Sequence, residues 1–308
     1  MDVVQDVDWS KGAAYIDGQV MPVAEARIPI TDWGYRRSDV TYDVVGVYYG
    51  NFFRLDEHIA RFRRSMQMLH MEPKESDAEL KRILIDLVRR TGLREAYVAM
   101  DCLRGRPPRG VPFHPAYAKP YIAAFVIPWV WLFTEEQQAR GVHAIIAKTP
   151  RIAPESVDPT VKNFHWGDLT KALFEAEEAG AETAFLLDQE GYLTEGPGYN
   201  CFAVIDGRVV SPPKGALLGQ TRESVYELCQ ELGIPHDIRP ISRAELEDAD
   251  EIFMSTTAGG IMPVSRLGTR ILGNDRPGPI SATLRETFWK KRQEGWHAPP
   301  VDYATVPA

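Results

Sequence analysis

Lys162 stands in the run Asp158-Pro159-Thr160-Val161-Lys162-Asn163-Phe164-His165-Trp166-Gly167-Asp168, ahead of an amphipathic helix. A lysine among apolar and aromatic neighbours is open to losing its charge by desolvation, and only the neutral amine attacks a carbonyl to form a Schiff base. A snorkelling surface lysine fits the same segment taken alone. Gly219-Gln220-Thr221 leads straight into a helical pattern, where free backbone N–H groups, a hydroxyl and the positive end of the helix dipole suit a phosphate. A plain helix cap at Thr221 is the simpler reading of that segment. Ser255-Thr256-Thr257-Ala258-Gly259-Gly260 follows a buried-looking strand and offers a second hydroxyl-rich wall, or else an ordinary glycine turn. Arg61 falls on an apolar-periodic helix, where a buried guanidinium would need an anion to grip and an exposed one would not. Glu195 ends a strand just before a Gly/Pro turn.

Other chemistries lack their signatures. The chain has no Walker loop, no GxGxxG and no GxSxG, and none of its seven histidines pairs with a cysteine at metal-ligand spacing. No metal is expected.

The elements that must position these residues form an α+β pattern. Ala14-Tyr15-Ile16, Asp17-Gly18 and Gln19-Val20-Met21 read as a tight hairpin, and Val44 to Tyr48, turning at Gly50-Asn51 into Phe52-Phe53-Arg54-Leu55, as a second. Asp56 is placed as the N-cap of a helix carrying Ile59, Phe62, Met66 and Leu69 on one face, with another helix from Asp77 to about Arg90. Strands are expected at Tyr97 to Leu103 and Tyr121 to Ile127, separated by the loop RGRPPRGVPFHP, which cannot be regular structure. Further strands (Ala144 to Ala147, Thr183 to Leu187, Phe202 to Ile205, Ile252 to Met254) alternate with helices at Thr221 to Leu232, after the Ser242/Glu245 capping box, and from about Ile280 to Gln293. The expected organisation is a small N-terminal domain over residues 1–126, a connection at 127–134 and a larger domain over 135–308.

Lys plus Arg is 35 against 43 for Asp plus Glu, a net charge of -8 that repels nucleic acid and anionic membrane and leaves a small molecule as the default partner. Three scattered cysteines make no disulfide framework, and no presequence or membrane-length apolar run is visible, so a cytoplasmic setting is expected.

A phosphate cup, a desolvated lysine and a lone carboxylate together are what pyridoxal phosphate requires. The chain resembles the fold-type IV pyridoxal-phosphate enzymes, the branched-chain and D-amino acid aminotransferase superfamily, and within it the (R)-selective amine transaminases. Six blocks in the family's order carry the resemblance: Ser38 to Val44, Phe53 through Ile59 to Arg61, Asp158 to Asp168, Leu193 to Gly196 with Asn200, Gly219 to Arg222, and Asp250 to Pro263. It implies a two-domain fold, a small α/β domain followed by a pseudo-barrel of strands with flanking helices. It implies that Lys162 is the Schiff-base lysine and proton carrier, that Glu195 faces the pyridine nitrogen, and that Arg61, Gln220, Thr221 and Thr257 hold the phosphate. Tyr42, Val44, Trp166, Thr256 and Ala258 are expected on the substrate side, with Arg109 as a mobile carboxylate partner.

Branched-chain enzymes carry an arginine two residues beyond an aromatic where this chain has Ala99 after Tyr97, and a tyrosine about where Gly167 falls. The Trp166-Gly167 pair is that of the amine transaminases, although Arg37 replaces a histidine common among them. The resemblance thus implies transfer of nitrogen from an (R)-configured primary amine, leaving pyridoxamine phosphate, to a keto acid such as pyruvate, by ping-pong kinetics in a homodimer. The alternatives are a branched-chain or D-amino acid aminotransferase, an aminodeoxychorismate lyase, and a non-catalytic binding protein.

Overall fold

The computed structural model describes residues 8–304. The chain folds as two units. The first takes in the sequence up to Val130, the short stretch Val161–Phe164 and the C-terminal segment from Arg292; the second comprises Trp131–Thr160 and His165–Lys291.

In the first unit β1 (Ala13–Ile16) and β2 (Gln19–Pro22) form a hairpin whose turn residues, Asp17 and Gly18, both take positive φ, the geometry that matches strand twist in a two-residue loop. Helix α1 (Trp33–Arg37) precedes β3 (Val40–Tyr48), which turns back into β4 (Asn51–Phe52). Pairing of Tyr48 with Asn51 makes Tyr49 and Gly50 the turn residues, at φ 52° and 75°, so the turn expected at Gly50-Asn51 lies one residue earlier. Helix α2 (Leu55–Met68) begins one residue before the expected cap: Arg54, in the left-handed region, is the N-cap, and Asp56 lies in the first turn. Helix α3 (Asp77–Thr91), strand β5 (Ala96–Leu103) and strand β6 (Tyr121–Pro128) complete an antiparallel sheet of order β2-β1-β6-β5-β3-β4.

Period-2 alternation sends Val45, Val47, Val98, Met100 and Cys102 into a core with Phe62, Met66, Leu80 and Leu84 of α2 and α3. Tyr42, Val44, Tyr97, Ala99 and Asp101 are left to the other face. The C-terminal segment belongs to this unit as well, which corrects the expectation that the second domain runs to residue 308: Phe52 N–H and Arg54 N–H donate to Pro299 O and His297 O, and Val301 N–H to Gly50 O. An extended strap has no periodicity, so nothing in its sequence assigns it to either body.

The second unit contains α4 (Glu135–Arg140), β7 (Val142–Ile146), α5 (Gly167–Glu178), β8 (Thr183–Phe185), β9 (Glu195–Gly196), β10 (Tyr199–Ile205), β11 (Arg208–Ser211), α6 (Gln220–Glu231), β12 (His236–Ile238), α7 (Arg243–Asp248), β13 (Glu251–Thr256), β14 (Gly260–Leu267), β15 (Arg270–Ile271) and α8 (Pro279–Gln293). Its sheet runs β12-β11-β10-β13-β14-β7-β8, with β9 on β10 and β15 on β14. Beyond β8 the chain pairs with the residues entering β9 through Leu186 N–H to Glu195 O and Thr194 N–H to Leu186 O. The path from β10 through β13, β14, β7, β8 and β9 back to β10 therefore closes on itself as the pseudo-barrel. No helix among the described residues is long and apolar enough to cross a membrane.

Candidate active site

In the first unit, residues 161–164 dock along strand β3. Tyr42 N–H donates to Lys162 O at 3.0 Å, Thr41 Oγ1 donates to the same carbonyl at 2.7 Å, and Thr41 bridges Asn163. Both bonds hold main chain, so the lysine side chain stays available while its Cα is fixed. Its Nζ lies 4.3 Å from the centroid of the Tyr42 ring, which Phe164 meets edge-on at 4.9 Å. Val44, two residues along, shares that face.

Asp43 points the other way, toward α2. It is fully buried and accepts a fork from Arg61, Nε to Oδ2 and Nη2 to Oδ1 both at 2.8 Å, while His58 Nδ1 meets Oδ1 at 2.7 Å. Arg61 is only 4 % exposed, and the anion its fork grips is a residue of its own chain. Burial would raise the Asp43 carboxyl, but Arg61 and His58 outweigh it and hold the group well below the usual carboxylate range. Burial pushes His58 below its ordinary 6.5, against the pull of Asp43, and the positive charges of Arg61 and Lys162 add to that.

The two shifts each make the fold less stable in acid. On acidification through pH 6.5 unfolded His58 takes up a proton that folded His58 refuses, so stability falls by up to about 1.4 kcal/mol per pH unit. The depressed Asp43 adds a further loss only below about pH 4. Urea unfolding at pH 7.5 and 5.5 checks this: wild type loses about 1 kcal/mol more than His58→Gln over the interval. Equal losses would refute the assignment to His58.

In the second unit Glu195, on the two-residue strand β9, is held at both oxygens. Arg151 donates Nε (3.1 Å) and Nη2 (2.9 Å) to Oε1, and Leu217 N–H reaches Oε2 at 2.9 Å. Arg151 Nη1 also donates to Asp168 Oδ2 at 2.6 Å in the first turn of α5, where Asp168 further accepts from the N–H groups of Ile152 and Leu169. Burial works against the guanidinium charge and the two carboxylates overcome it, so the Arg151 pKa is raised. The cluster sets one guanidinium between two buried carboxyl groups and holds the Glu195 side chain in place.

Asn200 pairs in register with Glu195 and with Ser255, and its Nδ2 donates to Leu217 O at 2.8 Å. Gly219 is the N-cap of α6 with no side-chain cap bond, so the simpler reading of Thr221 as the helix cap does not hold; Thr221 is the second helical residue. A Cβ on Gly219 would lie 2.1 Å from Asn200 Oδ1, so only glycine brings the helix N-terminus this close to β10. Ser255 Oγ is buried without a hydrogen-bond partner. Thr256 Oγ1 donates to Gly198 O, Thr257 and Ala258 form the turn into β14, and the edge of the Trp166 ring comes close to Gly198.

The first unit thus gathers Tyr42, Val44 and Lys162 on one strand face with Arg61 behind it, and the second gathers Glu195, Gln220, Thr221, Thr256 and Thr257 with Trp166. Arg109 is exposed in the 104–114 loop and makes none of the described hydrogen bonds or ion pairs. Arg37 stacks at 3.7 Å over Trp33. Sequence reasoning missed Arg151, Asp43 and His58 as parts of the site. A buried Arg-carboxylate pair has no spacing rule, and only the i, i+3 placement of His58 and Arg61 on one helix face was a usable signal.

The first unit holds a lysine amine over an aromatic ring, a group suited to a carbonyl; the second holds a clamped buried carboxyl group, an uncapped helix N-terminus and an unsatisfied hydroxyl, groups suited to a ring nitrogen and a phosphate. Residues 41–267 match the model of the amino-transferase class IV family. The chain belongs to the class IV aminotransferases. It is 31% identical over 271 residues to the D-alanine aminotransferase of Bacillus licheniformis, covering 87% of this chain and 93% of that one. It is 30% identical over 290 residues to the branched-chain-amino-acid aminotransferase of Salmonella typhimurium, covering 91% and 93%. The structure of the T.th. branched-chain amino acid aminotransferase with pyridoxamine 5'-phosphate superposes with a TM-score of 0.87 at 28% identity, over 95% of this chain and 99% of that one.

The cofactor of this aminotransferase is pyridoxal phosphate. The residues present fit it: the orphaned Ser255 hydroxyl and the Gly219 approach suit a phosphate, and the Arg151-clamped Glu195 suits a protonated ring nitrogen.

Proposed function

We propose that this aminotransferase takes the amino group of an (R)-configured primary amine and delivers it to a keto acid such as pyruvate by a ping-pong mechanism. The observation that carries the reading is the pairing of Ala99 with Val44 beside Tyr42: the strand face nearest Lys162 presents methyl and isopropyl groups and no guanidinium, so it offers a neutral substituent apolar surface and a substrate carboxylate no fixed partner. The Trp166-Gly167 pair at the start of α5 supports the same reading.

In this proposal pyridoxal phosphate supplies the electron sink for the bond broken at the donor carbon. Lys162 binds the cofactor and carries the proton between carbons through Nζ. Glu195, fixed by Arg151 and Leu217 N–H, keeps the ring nitrogen protonated. Gln220, Thr221 and Thr257 hold the phosphate, with Arg61 behind Asp43. Tyr42, Val44, Trp166, Thr256 and Ala258 bound the donor, and Arg109 meets the keto acid carboxylate. The enzyme is proposed to act as a homodimer in the cytoplasm.

A second reading, an amino acid aminotransferase, is favoured by the names of the relatives, D-alanine and branched-chain-amino-acid aminotransferase. Half-reactions with each enantiomer of 1-phenylethylamine, with D-alanine and with L-leucine separate the two. The expected result is a kcat/KM at least about 100-fold higher for the R than the S amine. Reaction of the S enantiomer alone defeats the stereochemical claim, and reaction of either amino acid with both amines inert establishes the second reading.

A further inference from the structure

Asp101 is an acidic residue in the middle of β5, a place where aspartate is disfavoured. The register of β3 and β5 sets Tyr42 opposite Asp101, Val44 opposite Ala99 and Gly46 opposite Tyr97. Directly opposed residues of an antiparallel ladder project from the same face with Cβ atoms about 5 Å apart. Asp101 is therefore the immediate neighbour of the ring over which the Lys162 ammonium sits. On the other face of β5, Val98, Met100 and Cys102 are fully buried in the helix-covered core, whereas Asp101 keeps partial exposure, as a residue lining a recess does.

The buried acids of this chain have partners. Asp43 has Arg61 and His58, Asp168 and Glu195 share Arg151, and Glu251 accepts from the N–H groups of Ile280 and Ser281. The Asp101 side chain makes no hydrogen bond and no ion pair among the described residues, and burial, with no offsetting cation, pushes its carboxyl up to about 7. Such a group costs desolvation with no side-chain partner to offset it. Its surroundings are aromatic: Tyr42 lies across the ladder, and Tyr97, on the same face of β5, stacks on Phe125 of β6 at 6.2 Å. The side chains on its face are Tyr42 across the ladder on β3, Tyr97 on its own strand, and Tyr121, Ala123 and Phe125 of β6.

We propose that Asp101 is a specificity-determining residue of the donor pocket: its carboxyl group receives a cationic hydrogen-bond donor, an ammonium or guanidinium, that the substrate amine carries away from its reacting nitrogen. A carboxylate flanked by aromatic rings binds a cation by charge-assisted hydrogen bonds and ring quadrupoles together. It also repels a donor bearing a carboxylate at the same place, in agreement with the absence of an arginine at position 99. The inference rests on Lys162 being the reacting centre and deepens the amine reading by naming a substrate class.

The test uses holoenzyme and three matched donors: 2-aminohexane, 4-aminopentylguanidine and 5-aminohexanoate, which differ only in the terminal group. In wild type the guanidino donor is expected to have a kcat/KM at least about 10-fold above that of the neutral one, with the carboxylate donor below both. In Asp101→Asn the ratio of guanidino to neutral kcat/KM falls about 10-fold. Pentylguanidine, which lacks the reacting amine, serves as a binding probe by calorimetry, and its dissociation constant rises about 10-fold in the variant. Asp101→Leu, which removes an acid from a strand interior, guards against a folding defect and is expected to give the same ratio as the asparagine variant. A fall in all donors alike, with the ratio unmoved, would assign Asp101 to the state of Lys162 and overturn the proposal, as would a wild type indifferent to the terminal group. Binding of pentylguanidine that depends on Asp101, with no turnover of any amine, would keep the site and sink the amine reading instead.

Discussion

Lys162→Ala is expected to lower the transamination rate by at least about 1,000-fold, because one side chain is lost both as covalent anchor and as proton carrier, and positioned proton transfer alone is worth about 100- to 10,000-fold. The fold is expected to survive. The bonds that hold this segment, Tyr42 N–H and Thr41 Oγ1 to Lys162 O, involve only its main chain, and the lost ammonium–ring contact is worth about 1 kcal/mol. Loss of rate with a melting temperature within a few degrees of wild type is thus the signature. Borohydride reduction followed by peptide mapping gives the complementary readout: wild type retains the cofactor on the peptide containing residue 162, and the variant retains none. A variant that keeps a tenth of the wild-type rate, or a label on another lysine, would remove Lys162 from the chemistry.

Arg151→Met carries the largest expected cost in stability. Its guanidinium is the common partner of two buried carboxylates, Glu195 and Asp168, and breaking a buried pair from one side leaves uncompensated charge at about 3–5 kcal/mol. Turnover is expected to fall with it, since Glu195 loses the fork that aims it and keeps the Leu217 amide. The triple variant Arg151→Met, Glu195→Gln, Asp168→Asn separates the two effects. Removing the stranded charges is expected to recover at least half of the lost unfolding free energy, a coupling of the size seen for residues in one network, while the activity stays lost. Urea unfolding of the single and triple variants measures it, and a single variant within about 1 kcal/mol of wild type would show that Arg151 is not what compensates the carboxylates.

The elements were legible to the extent that their periodicity was strong. Helices α2, α3 and α6 carry apolar residues at helical spacing and were placed within one or two residues, and the Ser242/Glu245 box marks the start of α7. The errors fall at element starts decided by backbone geometry, such as the left-handed Arg54 before α2 and the Tyr49-Gly50 turn, because positive φ at a non-glycine residue leaves no trace in composition. Arg61 shows what a local argument leaves out. Its burial could be argued from the helix pattern, but the anion it grips is Asp43, eighteen positions earlier on another element, and only pairing of β3 against α2 brings the two together.

From the residues alone come the chemistry and its carriers: a lysine among aromatic neighbours, a glycine-led helix start, a hydroxyl-rich strand end, a lone carboxylate, and an acidic surface that turns away polyanions. Those features are local, fixed by residue type and near spacing. What the tertiary structure decided is which charges are compensated and which are not. Arg151 is committed to Glu195 and Asp168, Arg61 to Asp43, and Asp101 to nothing among the described residues, because ion pairing depends on distances across strands and helices that are far apart in sequence, and a few ångströms in a low-dielectric interior determine whether a carboxylate is structural or left for a ligand.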